Sequence, residues 1–271
     1  MLDGGRRELG RVLIVLPAFN EEASIGDLIE ELGAVLVDVG APFSITVVDD
    51  GSSDRTPDVA LGASERWPVT VLRNRHNLGL GGAIARGLSW AAAEGRAGDV
   101  VITMDADLTQ SPSYIPSMLA SWREGTDVVI ASRFRPGARV NGVSPARRIM
   151  TYGARMVMTV LLYTPGVRDY SCGYRLYDVR TLQVALAQNA GVLVTQSGFA
   201  CMVEIVARLR GIALFGEVPF ILHYENKRTA SALRVIPTVS AYFTVIAGAW
   251  TRRLAPGPSR ASHGRAKGGD E

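Results

Sequence analysis

The first half of the chain alternates short apolar runs with amphipathic stretches, a pattern that few folds accommodate. Apolar runs with the length of buried strands occupy residues 12–16, 44–48, 69–73, 99–104 and 127–131. Helical patterns separate the earlier runs, at residues 22–36, 53–61 and 80–93. Strands and helices in this order build a mainly parallel sheet covered by helices on both faces. The sequence therefore predicts an α/β fold.

The pattern changes after about residue 135. We predict a long helix at residues 147–163, shorter helices at 181–186 and 199–208, and a strand at 213–218. Residues 166–178 are polar and punctuated by glycine, which favours a loop. Residues 235–250 are expected to form a helix that lies either in the core or at a membrane interface. The tail beyond it, rich in Pro, Gly, Ser and Arg, is predicted to be disordered.

Composition narrows the class of protein. With 271 residues, 47% of them hydrophobic, the chain can bury the core of one large domain. Cys172 and Cys201 lack the spacing of a metal site, so we expect a reducing compartment and no disulfide framework. No apolar run reaches the ~20 residues of a spanning helix, and no signal peptide is expected. The net charge is +3, with arginines clustered at residues 147–155 and in the tail. Such clusters suit an anionic surface or substrate, and no nucleic-acid partner is expected.

Polar clusters follow four of the predicted strands, at residues 17–22, 49–52, 105–107 and 132–133. In an open parallel sheet these carboxyl ends lie at the edge where ligands bind. Carboxylates gathered there repel one another unless a cation neutralises them. If the fourth strand continues through Ala106, Asp105 and Asp107 project to the same side. Two such oxygen ligands suit Mg²⁺ or Mn²⁺ bridging a diphosphate, whose growing negative charge the metal would neutralise.

The glycines in Leu80-Gly81-Gly82-Ala83 have two interpretations. Glycine near the start of a helix can cradle a phosphate. A dinucleotide-binding loop, however, places its glycines after the first strand and in another spacing. We therefore interpret these glycines as positions of tight packing between helix and sheet.

Seven ordered segments resemble those of a known family: VLIVLPAFNEE, ITVVDDGSSDRT, NLGLGGAIARGL, VITMDADLTQSP, DVVIASRF, RDYSCGYR and GEVPF. From about residue 12 to residue 219, their order and spacing resemble family-2 glycosyltransferases, most of all the dolichyl- or polyprenyl-phosphate mannosyltransferase group. The resemblance implies the GT-A fold, a Rossmann-like, mainly parallel sheet with helices on both faces and C-terminal helices on the acceptor side. It divides the chain into an extension (1–11), a catalytic domain (12–228), an interfacial or core helix (229–253) and a disordered basic tail (254–271).

Carried over by position, the resemblance implies a set of donor contacts. The residues that would line the nucleoside pocket or reach the base and ribose are Pro17, Phe19, Glu21, Asp49 and Asp50. Asp105 and Ala106 would contact the nucleotide sugar, and Asp107 would hold the metal. Asp105 and either Gln110 or Thr109 would assist in holding it.

The resemblance also implies contacts with the phosphates of the nucleotide sugar and contacts on the acceptor side. Arg133 would face the phosphates, and Asp169 and Arg175 would shape the sugar and acceptor side. Arg147 or Arg148 would meet the acceptor phosphate, and the sequence does not choose between these neighbours.

Two positions depart from the pattern of the mannosyltransferase group. Ala232 stands where that group has a lysine, so Lys227 or Arg228 would take over the diphosphate contact. Met202 stands where a glutamine is common. These departures concern the donor and acceptor more than the fold.

The resemblance implies inverting transfer of a sugar, with mannose from GDP-mannose favoured, to a polyprenyl phosphate, with Mg²⁺ or Mn²⁺ as cofactor. The protein would be cytoplasmic and peripheral to the cytoplasmic face of a membrane, and a separate membrane partner for lipid delivery stays open. A phosphate acceptor is already anionic, so it needs arginines to position it more than a base to deprotonate it. If the acceptor is an alcohol, Glu204 is the expected base; otherwise Glu204 forms a structural ion pair.

Three alternatives stay open. The first keeps the family with a UDP-sugar donor or a soluble acceptor. The second, a sugar nucleotidyltransferase, would need a glycine-rich loop with Arg and Lys after the first strand, where this chain has Pro-Ala-Phe-Asn-Glu-Glu. The third is a catalytically silent sugar-nucleotide-binding module, against which the retention of both Asp105 and Asp107 argues.

Overall fold

The computed structural model describes residues 7–143, 145–226 and 242–248, without the side chains of residues 145–150. Its strands are β1 (Val12–Ala18), β2 (Phe43–Asp49), β3 (Val69–Arg73), β4 (Val100–Thr103), β5 (Val128–Ser132), β6 (Arg139–Asn141), β7 (Arg175–Asp178), β8 (Phe215–Pro219) and β9 (Ile221–His223). Its helices are α1 (Ile25–Val39), α2 (Thr56–Gly62), α3 (Gly79–Glu94), α4 (Ile115–Arg123), α5 (Pro145–Leu161), α6 (Val179–Gln188) and α7 (Ala200–Leu209). Residues 242–248, called the C-terminal segment below, are also helical.

Within the described residues, seven strands form one sheet in the order β3-β2-β1-β4-β7-β5-β8. Its pairs are parallel except those that β7 makes with β4 and β5. A small second sheet pairs β6 with β9. The predicted mainly parallel α/β fold is confirmed, and the strands and helices predicted up to residue 218 lie within three residues of the observed bounds at each end.

The antiparallel strand β7 corrects the expectation of a loop at residues 166–178. Arg175–Asp178 pairs with β4 on one side and β5 on the other, at the centre of the sheet. The segment is short and polar at both ends, so it carries no strand pattern of its own. Hydrogen bonds to two neighbouring strands stabilise it, and Leu176 and Tyr177 between those ends are buried.

Helix packing follows the apolar spacing of the sequence. In α1 the buried side chains include Ile25, Leu28 and Leu32, which recur on one face. In α3, Gly87 lies against the sheet, where a Cβ atom would stand 2.3 Å from Cγ1 of Val15. Close helix–sheet packing, predicted for Gly81 and Gly82, is observed in this helix at Gly87 instead.

The segments before the first strand and after the last strand are only partly described by the structure. The described part of the 1–11 extension packs on the body, where the Gly10 N–H donates to Gly98 O at 2.8 Å. Of the helix expected at residues 235–250, only the C-terminal segment lies among the described residues, and Val245 and Ile246 in it are buried. None of the helices described is both long and apolar enough to cross a bilayer. The domain boundaries stay a prediction.

Candidate active site

The strands β1, β2, β4 and β5 end at the same edge of the sheet, and the loops that follow them line a cleft of about 1530 Å³. The predicted site residues in its wall are Pro17, Phe19, Glu21, Asp50, Asp105, Ala106, Asp107, Gln110 and Arg133. The residues predicted from the rule that ligands bind at the carboxyl ends of parallel strands therefore lie together in one cleft.

Asp49 and Asp50, both expected in the nucleoside pocket, take different positions. Asp50 lines the cleft, and its Oδ1 accepts hydrogen bonds from Asn74 Nδ2 at 2.7 Å and Leu78 N at 3.0 Å. Asp49 is fully buried outside the cleft lining, with Oδ1 accepting from Ser52 N at 3.1 Å. Its Oδ2 lies 3.3 Å from Arg73 Nε, without hydrogen-bond geometry. Asp49, the last residue of β2, thus supports the turn, while Asp50, just beyond the strand, faces the ligand space.

The loop after β1 is tied to the loop after β2. Asn20 adopts a φ of 55°, and its N–H donates to Ser52 Oγ at 2.9 Å. The N–H of Glu21 donates to Thr56 Oγ1 at 2.8 Å. These bonds orient the turn that carries Phe19 and Glu21 into the cleft before any ligand binds.

The Asp105-Ala106-Asp107 segment is a turn and not an extension of β4, which ends at Thr103. The side-chain alternation that we expected through Ala106 therefore does not apply, although both carboxylates line the cleft. Gln110 holds Asp105 twice: Oε1 accepts from Asp105 N at 3.0 Å and Nε2 donates to Asp105 Oδ2 at 2.7 Å. Oδ1 of Asp107 accepts from Thr109 Oγ1 at 2.6 Å.

The donor set of this turn fits a hard divalent cation. Asp105 and Asp107 offer carboxylate oxygens, which Mg²⁺ and Mn²⁺ prefer. No group of three or more His, Cys, Asp or Glu side chains within the described ranges is arranged to hold a metal. A cation here would complete its coordination with phosphate oxygens and water, as Mg²⁺ commonly does. Both polar atoms of Gln110 bond to Asp105, so in this structure Gln110 orients a carboxylate instead of standing as a ligand.

Arg133 reaches the cleft from the end of β5 and is held from behind by Asp169. Its Nε donates to Asp169 Oδ2 at 2.8 Å, and its Nη2 donates to Asp169 Oδ1 and Ser171 Oγ, both at 2.7 Å. The Asp169 side chain is fully buried and that of Arg133 is 19% exposed. Burial disfavours both charges, but the partner's charge and hydrogen bonds together outweigh it, which lowers the pKa of Asp169 and raises the pKa of Arg133.

The opposite part of the cleft is apolar. Its wall comes from α5 and the C-terminal segment and includes Tyr152, Val157, Met158, Tyr242, Phe243 and Ile246. Arg155 also lines this part, with its guanidinium 4.8 Å from the centroid of the Phe134 ring. One continuous cleft therefore offers carboxylates and an arginine at the strand ends and an apolar surface beside them.

The sequence profile of glycosyl transferase family 2 matches residues 13–184. The chain belongs to this family. Family-2 membership agrees with the carboxylate turn and with the ordered strand-end motifs, and it removes the nucleotidyltransferase alternative.

Two family-2 relatives have curated activities. Dolichol-phosphate mannosyltransferase of Pyrococcus furiosus is 32% identical over 212 residues, 78% of this chain and 56% of that protein. Undecaprenyl-phosphate 4-deoxy-4-formamido-L-arabinose transferase of Pseudomonas aeruginosa is 34% identical over 197 residues, 70% of this chain and 54% of that protein. The chain thus spans about half the length of the curated relatives it matches.

Among solved structures, glucosyl-3-phosphoglycerate synthase from Mycobacterium tuberculosis, in complex with Mn²⁺, UDP and glucosyl-3-phosphoglycerate, is similar in fold. It matches with a TM-score of 0.61 and 21% identity, over 95% of this chain and 83% of that chain. This likeness confirms the predicted GT-A fold of the family-2 chain.

Arg175, a predicted functional residue of this family-2 chain, lies beneath the cleft wall. Arg175 is fully buried, and its guanidinium donates to the backbone carbonyls of Tyr170, Cys172 and Met202 at 2.8–2.9 Å. It therefore supports the loop before β7 instead of contacting a substrate.

Glu204, the expected base for an alcohol acceptor, has a structural role. It is buried outside the cleft lining and accepts hydrogen bonds from Thr195, Gln196 and Arg208. Burial opposes its ionisation, but these bonds outweigh burial and lower its pKa. Of the two roles considered for Glu204, the ion pair is the one observed.

The early glycines of α3 pack against a loop and not against the sheet. Gly79, with a φ of 78°, and Gly81 approach the backbone of residues 196–197. A Cβ atom on Gly81 would lie 1.6 Å from Gln196 O, and the Gly81 N–H donates to Ser197 O at 2.8 Å. The close packing predicted for Gly81 is therefore present, but the prediction that its partner is the sheet is wrong.

Some predicted contacts lie outside the described residues. Lys227 and Arg228 are among them, and so are the side chains of Arg147 and Arg148, whose backbone lies in the first turns of α5. Sequence reasoning did not assign Arg155 to the site. Its position seven residues after Arg148, two helical turns along the same face, was the signal available.

Proposed function

We propose that this chain is an inverting glycosyltransferase that moves a sugar from a nucleotide sugar to a polyprenyl phosphate, with mannose from GDP-mannose as the favoured donor. The observation that carries the proposal is the single cleft in which carboxylates, Arg133 and an apolar wall meet. The curated relatives, whose names include dolichol phosphate and undecaprenyl phosphate, support the acceptor class.

The donor would bind at the ends of β1, β2 and β4. Phe19 and Asp50 would contact the nucleoside, and Asp105 and Asp107 would hold Mg²⁺ or Mn²⁺ against the diphosphate. When bound, the metal neutralises negative charge on the leaving nucleoside diphosphate. Gln110 and Thr109 contribute by keeping the two carboxylates oriented before the donor arrives.

The acceptor would enter from the apolar part of the cleft. Its prenyl chain would lie against Tyr152, Val157 and Phe243 while its phosphate meets Arg133. A phosphate oxygen is anionic at neutral pH and attacks the anomeric carbon without a general base. This agrees with Glu204 being engaged elsewhere, since the reaction does not require it.

Peripheral binding to the cytoplasmic face of a membrane is part of the proposal. One face of α5 exposes Tyr152, Met156 and Val160, at spacings of four residues, and Tyr163 just beyond the helix is also exposed. The exposed fractions of Met156 and Val160 are 70% and 77%. A helix with such a face beside basic residues can lie in the lipid headgroup region, next to a lipid-linked substrate.

Transfer of radiolabelled sugar into a polyprenyl-phosphate lipid tests the proposal. GDP-mannose, UDP-glucose and UDP-N-acetylglucosamine are compared in parallel, with Mn²⁺ present. We expect label from GDP-mannose in the lipid fraction, lost with EDTA and with Asp107→Ala but kept with Asp127→Ala, a carboxylate at the other end of the sheet that bonds to Arg7.

Each other outcome of this assay has a definite meaning. Donor turnover without labelled lipid overturns the polyprenyl acceptor and directs the search to soluble acceptors. Label from a UDP-sugar alone overturns the GDP-mannose assignment and keeps the lipid acceptor. Nucleotide-sugar binding with no turnover in any arm supports the silent binding module instead.

A further inference from the structure

Residues 164–173, called the 164–173 loop here, lie directly on β8. Gly166 adopts a φ of 84°, and a Cβ atom on it would stand 2.1 Å from Phe215 O. Two residues further along β8, Oε1 of Glu217 accepts hydrogen bonds from Arg168 N at 2.6 Å and Asp169 N at 2.7 Å. One strand therefore holds the loop backbone at two neighbouring points.

The second of those points is directly connected to the cleft. The residue whose N–H Glu217 binds is Asp169, whose carboxylate accepts from Arg133 N, Nε and Nη2 and from Ser171 N and Cys172 N. Glu217 itself does not line the cleft, whereas Arg133 does. Any effect of Glu217 on a ligand must therefore pass through Asp169 to Arg133.

Glu217 occupies its position at an energetic cost. Burial raises its pKa and the charge of Asp169 raises it further, while the two N–H donors and the Ser132 hydroxyl lower it only in part. Its second oxygen, Oε2, is buried and meets no donor in good hydrogen-bond geometry within the described part of the chain. When Glu217 is ionised, its two short bonds are charge-assisted. Such hydrogen bonds are stronger than those to a neutral acceptor.

We propose that Glu217 is a positioning residue for Arg133: it fixes the backbone at Arg168 and Asp169, so that Asp169 presents the guanidinium to the acceptor phosphate. The inference rests on the proposed function, in which Arg133 meets that phosphate. Without the contact, the backbone at Asp169 is free to shift, and a bidentate pair tolerates little displacement.

The test measures the KM for polyprenyl phosphate and the KM for the nucleotide sugar separately. The variants are Glu217→Ala, Glu217→Gln and Asp127→Ala. Asp127→Ala is the matched control, since Oδ2 of Asp127 accepts from Leu214 N at 2.7 Å at the opposite end of β8. Glu217→Gln keeps an oxygen for the two N–H groups. If Glu217→Ala does not fold, Glu217→Asp, which withdraws the carboxylate by one methylene, replaces it.

We expect Glu217→Ala to raise the acceptor KM about tenfold, with the donor KM within about twofold of wild type. Glu217→Gln should return the acceptor KM to within about threefold of wild type, and Asp127→Ala should leave both KM values unchanged. A purely structural role would lower the active fraction without this split. Equal acceptor KM values for Glu217→Ala and Asp127→Ala overturn the inference, and so does a glutamine variant as impaired as the alanine variant.

A phosphate titration separates failure of this inference from failure of the proposed function. If the wild-type protein transfers no sugar to any lipid, the proposed function fails. The affinity of the full chain for inorganic phosphate, measured by calorimetry, still reports on Arg133. Wild type binding phosphate about tenfold more tightly than Glu217→Ala supports positioning by Glu217, and equal affinities overturn it.

Discussion

Arg133 and Asp169 form a two-point ion pair behind the cleft wall, with Nε–Oδ2 and Nη2–Oδ1 distances of 2.8 and 2.7 Å. Removing one partner of such a pair leaves a charge in a poorly solvated place. Asp169→Asn should therefore lower the free energy of unfolding by about 3–5 kcal/mol. The double variant Arg133→Met/Asp169→Asn should lose less, because no unpaired charge remains. Urea unfolding measures both, and equal losses would contradict this account.

The contributions of Glu217 and Asp169 to the free energy of unfolding are expected to depend on pH in opposite directions. Burial raises the pKa of Asp169, but the charge and the hydrogen bonds of Arg133 together outweigh burial, so the contribution of Asp169 is present above pH 3.8 and lost as pH falls through the lowered pKa. Burial, with the charge of Asp169, raises the pKa of Glu217 above 4.5, and its ionisation removes stability as pH rises through the raised pKa. Among the described residues, the titratable groups that interact with this carboxylate are Asp169 and Tyr170.

Glu217→Gln should consequently gain stability relative to wild type as pH rises above 4.5, because the amide has no charge to bury. The measurement is the urea midpoint of both proteins at several pH values. Asp127→Asn, on the far side of the sheet, serves as the control. A constant difference between wild type and Glu217→Gln across the range would show that Glu217 does not titrate in it.

Gly81 tests the contact between α3 and the 196–197 backbone. A Cβ atom there would lie 1.6 Å from Gln196 O, so Gly81→Ala should destabilise the protein by about 1–3 kcal/mol. Gly153, in α5, provides the comparison, since a Cβ atom on it would meet no described residue within 4 Å outside the backbone of its own helix. Gly153→Ala should stabilise by up to about 1 kcal/mol, since alanine favours a helix. Thermal unfolding distinguishes the two, and a harmless Gly81→Ala would refute the close approach.

The exposed face of α5 predicts how the protein binds lipid. Met156→Glu and Val160→Glu should each reduce partitioning onto anionic vesicles at least about tenfold, because an apolar side chain no longer enters the bilayer surface. Val37→Glu is the matched control, since Val37 is similarly exposed on α1. Vesicle flotation measures the effect. Equal partitioning of all three variants would remove α5 as the membrane contact.

The apolar runs of the sequence were sufficient to predict β1, β2, β4 and β5, because a strand buried on both faces must be apolar almost throughout. The edge strand β3 is only partly buried, and its β-branched residues and leucine were sufficient to predict it. β7 escaped prediction since its stability comes from two neighbouring strands and not from its own residues. Prediction from the sequence is limited in the same way at the Asp105-Ala106-Asp107 turn of the site. Its residue types indicated oxygen ligands, but the position of Gln110 over Asp105 depends on the fold of the turn.

The sequence by itself determined the fold class, the family and the set of polar residues at the strand ends, because periodicity and residue type are local properties. Only the tertiary structure decided which of them face the cleft. Asp50 lines the cleft whereas Asp49 does not, and Arg175 and Glu204 are buried. Glu217 accepts a hydrogen bond from the backbone of Asp169. Burial and hydrogen bonding between distant segments make that selection, and neither is encoded in the spacing of any one segment.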